Sequence, residues 1–171
     1  DLDMRRPTVW SMMHRIRKAL ADDGKLLAGI VEMDEAYVGG KPRRKNRRED
    51  DDDAPRGRAT KKTPVVGAVE RGGRIKMLAV TKFDLTAAAL HAFVRRMIEP
   101  KGSILTTDEY SGYNGLNKFI AHRRINHSVS YSERDLFSGQ FGNIHTNTIE
   151  SAWAILKRAI IGQYHHISVR Y

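Results

Sequence analysis

The chain has 171 residues, of which 40% are hydrophobic and none is cysteine. This length can bury a core without disulfide bonds, and the lack of cysteine excludes disulfide frameworks, thiolate zinc sites and thiol nucleophiles. The 30 Lys and Arg exceed the 20 Asp and Glu, giving a formal net charge of +10. No apolar run approaches the ~20 residues of a membrane span. Composition therefore predicts a cytoplasmic globular protein without a membrane partner, and a polyanionic partner such as nucleic acid.

Apolar side chains recur at helical spacing in residues 8–21, with Thr8 as the candidate N-cap, and basic side chains occupy another face. This helix either packs on the following domain or belongs to a DNA-binding element, such as the end of a helix-turn-helix. We expect a helical segment over residues 1–24, as a remnant of an upstream DNA-binding domain, and a separate domain over residues 25–171. The chain lacks an initiator Met and stops soon after an apolar helix, so we expect a fragment that is truncated at the C-terminus.

The first predicted strands form an antiparallel meander. Residues 26–40 hold a dense apolar run closed by two glycines, which is typical of a strand buried on both faces. Residues 64–70 and 74–80 are apolar runs joined by Arg71-Gly72-Gly73, a short connection that predicts a β-hairpin. Three neighbouring strands are therefore expected by residue 80.

Residues 41–62 carry ten Lys or Arg and five Asp or Glu without apolar periodicity, which predicts an exposed loop. Its charges are separated by sign, because residues 41–48 are basic, 49–53 acidic and 56–62 basic again. The segment is either a solvated mobile loop or a contact to a nucleic-acid backbone. Half of the net charge of the chain lies here.

The remaining sequence predicts helices alternating with strands. The expected elements are a helix at 86–98 capped by residues 84–86, a short strand at 103–107, a turn and short helix at 109–119, a basic strand at 121–129, a loop at 130–146 and a helix at 147–162 that ends at Gly162. A meander followed by alternating strands and helices is typical of an α/β domain with a mixed sheet.

Three carboxylates occupy notable positions in this pattern. Asp34 ends the first buried strand, Asp108 follows the short strand at 103–107, and Glu150 opens the last helix. If the two strands share a sheet, the aspartates could meet, and a helix packed on that sheet could add the glutamate. An all-oxygen pocket of this kind suits Mg²⁺ or Mn²⁺. Two such ions about 4 Å apart can activate an attacking oxygen and stabilise the leaving oxygen of a phosphodiester.

Each of these acids also has a purely structural interpretation. Asp34 could form a turn at the strand end, with Glu35 as an alternative carboxylate that points the other way. Asp108 could likewise be a turn residue. Glu150 lies three residues after Asn147 in a pattern that resembles a capping box, and it would favour the positive end of the helix dipole.

Lys157 lies on nearly the same side of the predicted last helix as Glu150. Lys157 follows Glu150 by seven residues, which is about 20° short of two turns, so both side chains project from nearly the same side about 10 Å apart. Lys157 is then either a phosphate ligand beside a metal ligand or a solvated surface residue. Ile149, Trp153, Leu156 and Ile160 form the apolar side that would pack on the sheet.

Three motifs together resemble the ISXO2-like transposases of the IS1595 group, which are DDE recombinases with an RNase H-like fold. The motifs are MDEAYVGG at 33–40 with the basic segment after it, TTDEYSGY at 106–113 and HTNTIESAWAILKRAIIGQYHHIS at 145–168. The resemblance covers residues 26–170. It implies that Asp34, Asp108 and Glu150 are the catalytic, metal-binding acids. Some members carry Asn at the third position, and the register of Lys157 selects Glu150 over Asn147.

The resemblance also implies a mechanism and a set of partners. Two Mg²⁺ or Mn²⁺ ions held by the three acids would support hydrolysis at the transposon ends, and the freed 3′-OH would then attack target DNA. The active DNA complex would be a homo-oligomer. Residues assigned to DNA contact are Lys157, Arg158, Lys41, Arg43, Arg44, Lys45, Arg47, Arg48, Asn147 and His145. His165 and His166 are given structural or DNA-facing roles rather than zinc ligation.

Two rival functions remain open at the level of sequence. One is a non-catalytic DNA-binding remnant or accessory protein, in which the acids are turn and cap residues. The other is a stand-alone RNase H-like nuclease, which would cut nucleic acid without joining ends. Metal-dependent cleavage separates the first rival from a transposase, and strand-transfer products separate the second.

Overall fold

The computed structural model describes residues 3–19, 24–39, 62–81, 83, 85–126, 133–134 and 143–164. The predictions for the charged segment at 41–61 and for His165 and His166 lie outside these ranges. Among the described helices, none combines the length and the apolar character needed to cross a membrane.

One five-stranded mixed sheet organises the domain. Its strands are β1 (Ile30–Val38), β2 (Thr63–Glu70), β3 (Ile75–Ala79), β4 (Ile104–Thr107) and β5 (Ala121–Arg124), in the spatial order β3-β2-β1-β4-β5. Strands β1, β2 and β3 pair antiparallel in succession, and β1 pairs parallel with β4, as β4 does with β5. The predicted meander and the α/β mixed sheet are therefore confirmed.

Helix α1 (Arg6–Ala19) differs from its prediction in two respects. It begins two residues earlier than Thr8, because Pro7 suits the first turn of a helix, where its missing N–H is not needed. None of its residues is buried, so packing of this helix on the domain is not observed in the described part of the chain.

Helix α2 (Ala87–Met97) begins where the sequence predicts. The hydroxyl of Thr86 accepts a hydrogen bond of 3.3 Å from Ala89 N, which is the N-cap interaction. Leu90, Phe93 and Val94 are buried against one face of the sheet.

Helix α3 (Asn147–Ala159) covers the other face and continues into a π-helical turn, Ile160–Tyr164. The prediction that Gly162 ends the helix is wrong, because Gly162 lies inside this turn. Its apolar side packs as predicted: Ile149, Trp153 and Ile160 are buried, and Leu156 is half-buried.

The sheet thus separates two cores. Strand β1 contributes to both, since Val31 and Met33 face the α2 side and Ala36 faces the α3 side. This alternation explains the dense apolar run that predicted a strand buried on both faces.

The segment at 130–146 departs from its loop prediction. Two short strands, β6 (Glu133–Arg134) and β7 (Asn143–Ile144), pair antiparallel as a second sheet. Strands of two residues carry no detectable alternation in sequence, so the pattern gave no sign of them.

Candidate active site

The register of the sheet places Asp34 and Asp108 side by side on the neighbouring chain segments of β1 and β4. Ile30 pairs with Ile104 and Glu32 with Thr106 in parallel alignment. The same alignment continued by two residues sets Asp34 beside Asp108, immediately past the end of β4. The predicted proximity of these two acids agrees with this geometry. The prediction that Asp34 ends the first strand is wrong, because β1 continues to Val38 and Asp34 pairs with Gly67 within it.

A third carboxylate completes the cluster, and it is Glu35. Ligand oxygens of Asp34, Glu35 and Asp108 all lie within 4.8 Å of one another, and all three residues are partly buried. Within the described residues, Glu150 is not a member of this group. Three carboxylates this close repel one another, and their hard oxygen donors are those that Mg²⁺ and Mn²⁺ prefer, so the cluster fits a divalent cation.

The environment of Asp34 favours its neutral form when no cation is present. Burial, assisted by the negative charges of Asp108 and Glu150, raises the pKa of Asp34 to about 6, despite the lowering effects of Glu35 N–H and the Trp153 indole. Glu150 therefore lies close enough to influence this carboxylate. A cation bound here would compensate the repulsion and displace the proton.

The indole of Trp153 reaches Asp34 because Gly67 leaves room for it. Gly67 is paired with Asp34 across β1 and β2. A Cβ atom at position 67 would lie 2.5 Å from Cη2 of Trp153, which no real side chain tolerates. The glycine thus lets α3 approach the sheet until Trp153 Nε1 donates to Asp34 Oδ2.

Asp108 is held by the turn that follows β4. Tyr110 N–H donates a hydrogen bond of 3.0 Å to Asp108 Oδ1. The hydroxyl of Thr107 donates to the carbonyl of Asp108 and lies 2.9 Å from His122 Nε2. Burial, followed by the charges of nearby arginines, lowers the pKa of His122 to about 4, so this ring brings no positive charge to the acids at neutral pH.

Tyr113 lies beneath the cluster on the α2 side. Its side chain is fully buried, and its hydroxyl has no partner at hydrogen-bonding geometry among the described residues. Burial raises its pKa well above the usual value, and the charge of Glu35 raises it further, so the phenol stays neutral. Glu35 therefore lies close to the Tyr113 phenol on the α2 side of the sheet.

Glu150 accepts a hydrogen bond of 3.1 Å from the hydroxyl of Thr146, the N-cap residue of α3. The capping-box interpretation is wrong, because Asn147 is the first helical residue and not the cap. Glu150 N–H donates to the carbonyl of Thr146, and the amides of Thr148 and Ile149 are bound by a different side chain, Glu32 of β1.

Glu32 is a buried acid that sequence reasoning did not single out. It is 0% exposed and accepts hydrogen bonds from Thr148 N, Thr148 Oγ1 and Ile149 N at 2.8, 2.9 and 3.1 Å. Arg71 Nε donates a further hydrogen bond of 2.6 Å to Glu32 Oε1. A charged residue in the middle of a strand buried on both faces was the available signal, since such a charge needs a partner.

The residues assigned to DNA contact occupy different settings. Lys157 and Arg158 are exposed on α3, and Asn147 is exposed at its start. His145 is partly buried, and its Nδ1 lies 3.2 Å from Glu32 Oε1. The basic segment at 41–48 lies outside the described residues. In sequence it lies between Val38 at the end of β1 and Thr63 at the start of β2, which pair with each other.

Comparison with protein families identifies the domain. No curated protein sequence matches the chain. A sequence model of the ISXO2-like transposase domain matches residues 26–171, which is most of the chain and includes every strand, α2, α3 and the acidic cluster. The mixed five-stranded sheet with helices on its faces is consistent with the RNase H-like fold of such domains. The chain therefore belongs to the ISXO2-like transposase domain family.

Proposed function

We propose that this chain is a DDE-type catalytic domain that cleaves phosphodiester bonds at the ends of an insertion sequence and transfers the strands to target DNA. Membership of the transposase family supports the reaction class. The observation that carries the proposal is the cluster of Asp34, Glu35 and Asp108, whose oxygens lie within 4.8 Å at the edge of the sheet.

Asp34, Asp108 and Glu150 would hold Mg²⁺ or Mn²⁺, with two ions as the expected number. When bound, these ions supply activation of the attacking oxygen and stabilisation of the leaving oxygen. The chain itself fixes the carboxylates: Trp153 binds Asp34, Tyr110 N–H binds Asp108, and Thr146 binds Glu150. Each acid is thus oriented before DNA arrives, which lowers the reorganisation that catalysis requires.

The DNA backbone would lie along the exposed cations near this edge. Lys157 and Arg158 are exposed on α3, the helix that also carries Glu150, and the basic segment at 41–48 follows β1 in sequence. We include His145 and Asn147 among the contacts, since they precede and open α3. Because transposition joins two ends, we propose at least a dimer in the active complex.

The decisive experiment uses the full chain and a plasmid carrying the inverted repeats that flank its coding sequence. We expect Asp108→Asn to abolish Mg²⁺-dependent nicking and joining while DNA binding persists. Glu109→Gln is the matched control, because Glu109 is the adjacent carboxylate, is exposed and lies outside the cluster.

Three results would overturn the proposal. Full activity of Asp108→Asn would remove this acid from catalysis. Cleavage by the wild type without any joined product would favour a stand-alone nuclease. DNA binding without metal-dependent cleavage would favour a non-catalytic accessory protein.

A further inference from the structure

The N-terminus of α3 is fastened to the sheet by a side chain of β1 rather than by its own cap. Glu32 receives the Thr148 and Ile149 amides at 2.8 and 3.1 Å, together with the Thr148 hydroxyl. Thr146, at the N-cap position, makes no cap hydrogen bond with its side chain. Its hydroxyl donates to Glu150 instead.

Arg71, in the β2–β3 turn, binds both Glu32 and the segment that leads into α3. Its Nε binds Glu32 at 2.6 Å, and its Nη2 binds the carbonyl of His145 at 3.0 Å. The backbone N–H of Arg71 also binds the carbonyl of Ile30 at 2.9 Å. One arginine therefore links the strand that carries Asp34, the hairpin and the segment that leads into α3.

We infer that Glu32 and Arg71 are positioning residues that set the distance between Glu150 and Asp34. This inference rests on the proposed function, in which both acids hold the catalytic ions. Glu32 and Asp34 are two residues apart on one face of β1, and Glu150 follows the amides that Glu32 binds. A movement of α3 relative to Glu32 is therefore a movement of Glu150 relative to Asp34.

Stability alone is a poor explanation for this buried pair. Burying a carboxylate and a guanidinium costs desolvation energy that their attraction only roughly repays. A helix start can be capped locally by a Ser, Thr, Asn or Asp side chain, and Thr146 is present for that purpose. By taking over the amides, Glu32 leaves Thr146 to orient Glu150.

The first test replaces Arg71 and compares it with a neighbour in the same turn. In Arg71→Gln we expect kcat for end cleavage to fall about 10- to 100-fold, the range typical of residues that orient metal ligands. KM for DNA should stay within about two-fold, because no DNA contact is removed. Arg74→Ala is the control, because Arg74 lies in the same turn and also binds an acid and a carbonyl, which belong to Glu70 of β2 and to Leu26 ahead of β1.

The second test uses a conservative pair at Thr148. Thr148→Val removes the hydroxyl that binds Glu32 but keeps the backbone amide, whereas Thr148→Ser keeps both. We expect a several-fold loss of kcat in Thr148→Val, restored in Thr148→Ser, when the rates are measured at a temperature at which melting curves show all three proteins to be folded. This pair gives an answer even if Arg71→Gln proves too unstable to assay.

The outcomes separate the inference from the proposed function. If Asp108→Asn is inactive but Arg71→Gln and Thr148→Val match Arg74→Ala in kcat, the positioning role is wrong and the proposed function stands. If Asp108→Asn remains active, the proposed function fails, and the inference fails with it. Loss of stability in Arg71→Gln with unchanged kcat of the folded protein would show a purely structural pair.

Discussion

Trp153 Nε1 donates a hydrogen bond of 3.0 Å to Asp34 Oδ2, so the helix that carries Glu150 also orients the acid of β1. Trp153→Phe keeps an aromatic ring but removes the donor. We expect cleavage to fall roughly 10-fold, as for other residues that orient a metal ligand. The control is Val65→Ala, which removes packing from the same apolar cluster without touching Asp34. Equal losses in the two variants would attribute the effect to packing alone.

Gly67→Ala should push the helix away from the sheet. The new methyl group would meet Trp153 at 2.5 Å, and we expect a loss of about 1 to 3 kcal/mol of unfolding free energy together with reduced cleavage. Gly162→Ala adds the same group where nothing lies within 4 Å and should be neutral or stabilising. Urea unfolding of both variants gives the comparison.

A double-mutant cycle sharpens this prediction. The clash at Gly67 is with the outer ring atoms of Trp153, which Phe lacks. Gly67→Ala should therefore cost less in a Trp153→Phe background than in the wild type, giving a coupling free energy above about 0.5 kcal/mol. Additive effects would mean that the methyl group is accommodated elsewhere.

The raised pKa of Asp34 predicts a pH dependence of stability. Folding raises this pKa from 3.8 to about 6, so the folded state binds more protons than the unfolded state between these values. Stability of the metal-free protein should therefore fall as pH rises through this window. Asp34→Asn should remove this component, by up to about 3 kcal/mol. The measurement is urea unfolding with chelator from about pH 4 to about pH 7; identical slopes for both proteins would contradict the shift.

Glu35 and Glu150 should differ in how they affect the metal dependence. Glu35→Gln removes one charge from the cluster, so we expect about 10-fold weaker apparent Mg²⁺ affinity with cleavage recovered at saturating metal. Glu150→Gln should lower the rate even at saturation. Titration of cleavage with Mg²⁺ separates the two, and the reverse pattern would make Glu35 the third catalytic acid.

The exposed cations of α3 should appear in the salt dependence of DNA binding. Lys157→Gln should weaken binding uniformly across DNA sequences and reduce the slope of log affinity against log salt by about 1. Lys101→Gln removes the same charge from the turn before β4, at the opposite end of that strand from Asp108. An equal change in both variants would point to overall charge rather than a DNA path along α3.

The sequence pattern predicted the antiparallel meander well because β1 and β2 are long, mostly apolar strands and the β2–β3 connection is rich in glycine. It also predicted that Asp34 and Asp108 lie close together, since β1 and β4 run parallel in one sheet, and it placed Asp108 correctly after β4, but Asp34 lies in the middle of β1 and not at its end. The start of α3 could not be deduced in the same way. Asn147 and Glu150 match a local capping pattern, whereas the true partner of the helix amides, Glu32, is more than a hundred residues away in sequence.

The contacts of Arg71 likewise could not be deduced from the sequence. In sequence it belongs to a Gly-rich hairpin turn, which explains its position by local chemistry alone. Its contacts to Glu32 and His145 depend on how the hairpin, β1 and α3 are arranged in space. Only tertiary structure distinguishes a turn residue from a link between three elements.

The order of pairing in the sheet has a consequence for synthesis of the protein. Strands β1, β2 and β3 are consecutive in the chain, so this meander can form while the ribosome is still making the rest. Strand β4, which is followed by Asp108, is synthesised only after the β2–β3 hairpin and α2, and it then pairs with β1. The electrostatic repulsion between the acids is therefore deferred to a late step of folding. A nascent chain that ends before β4 holds Asp34 and Glu35 without Asp108, so the acidic cluster is incomplete until β4 has paired.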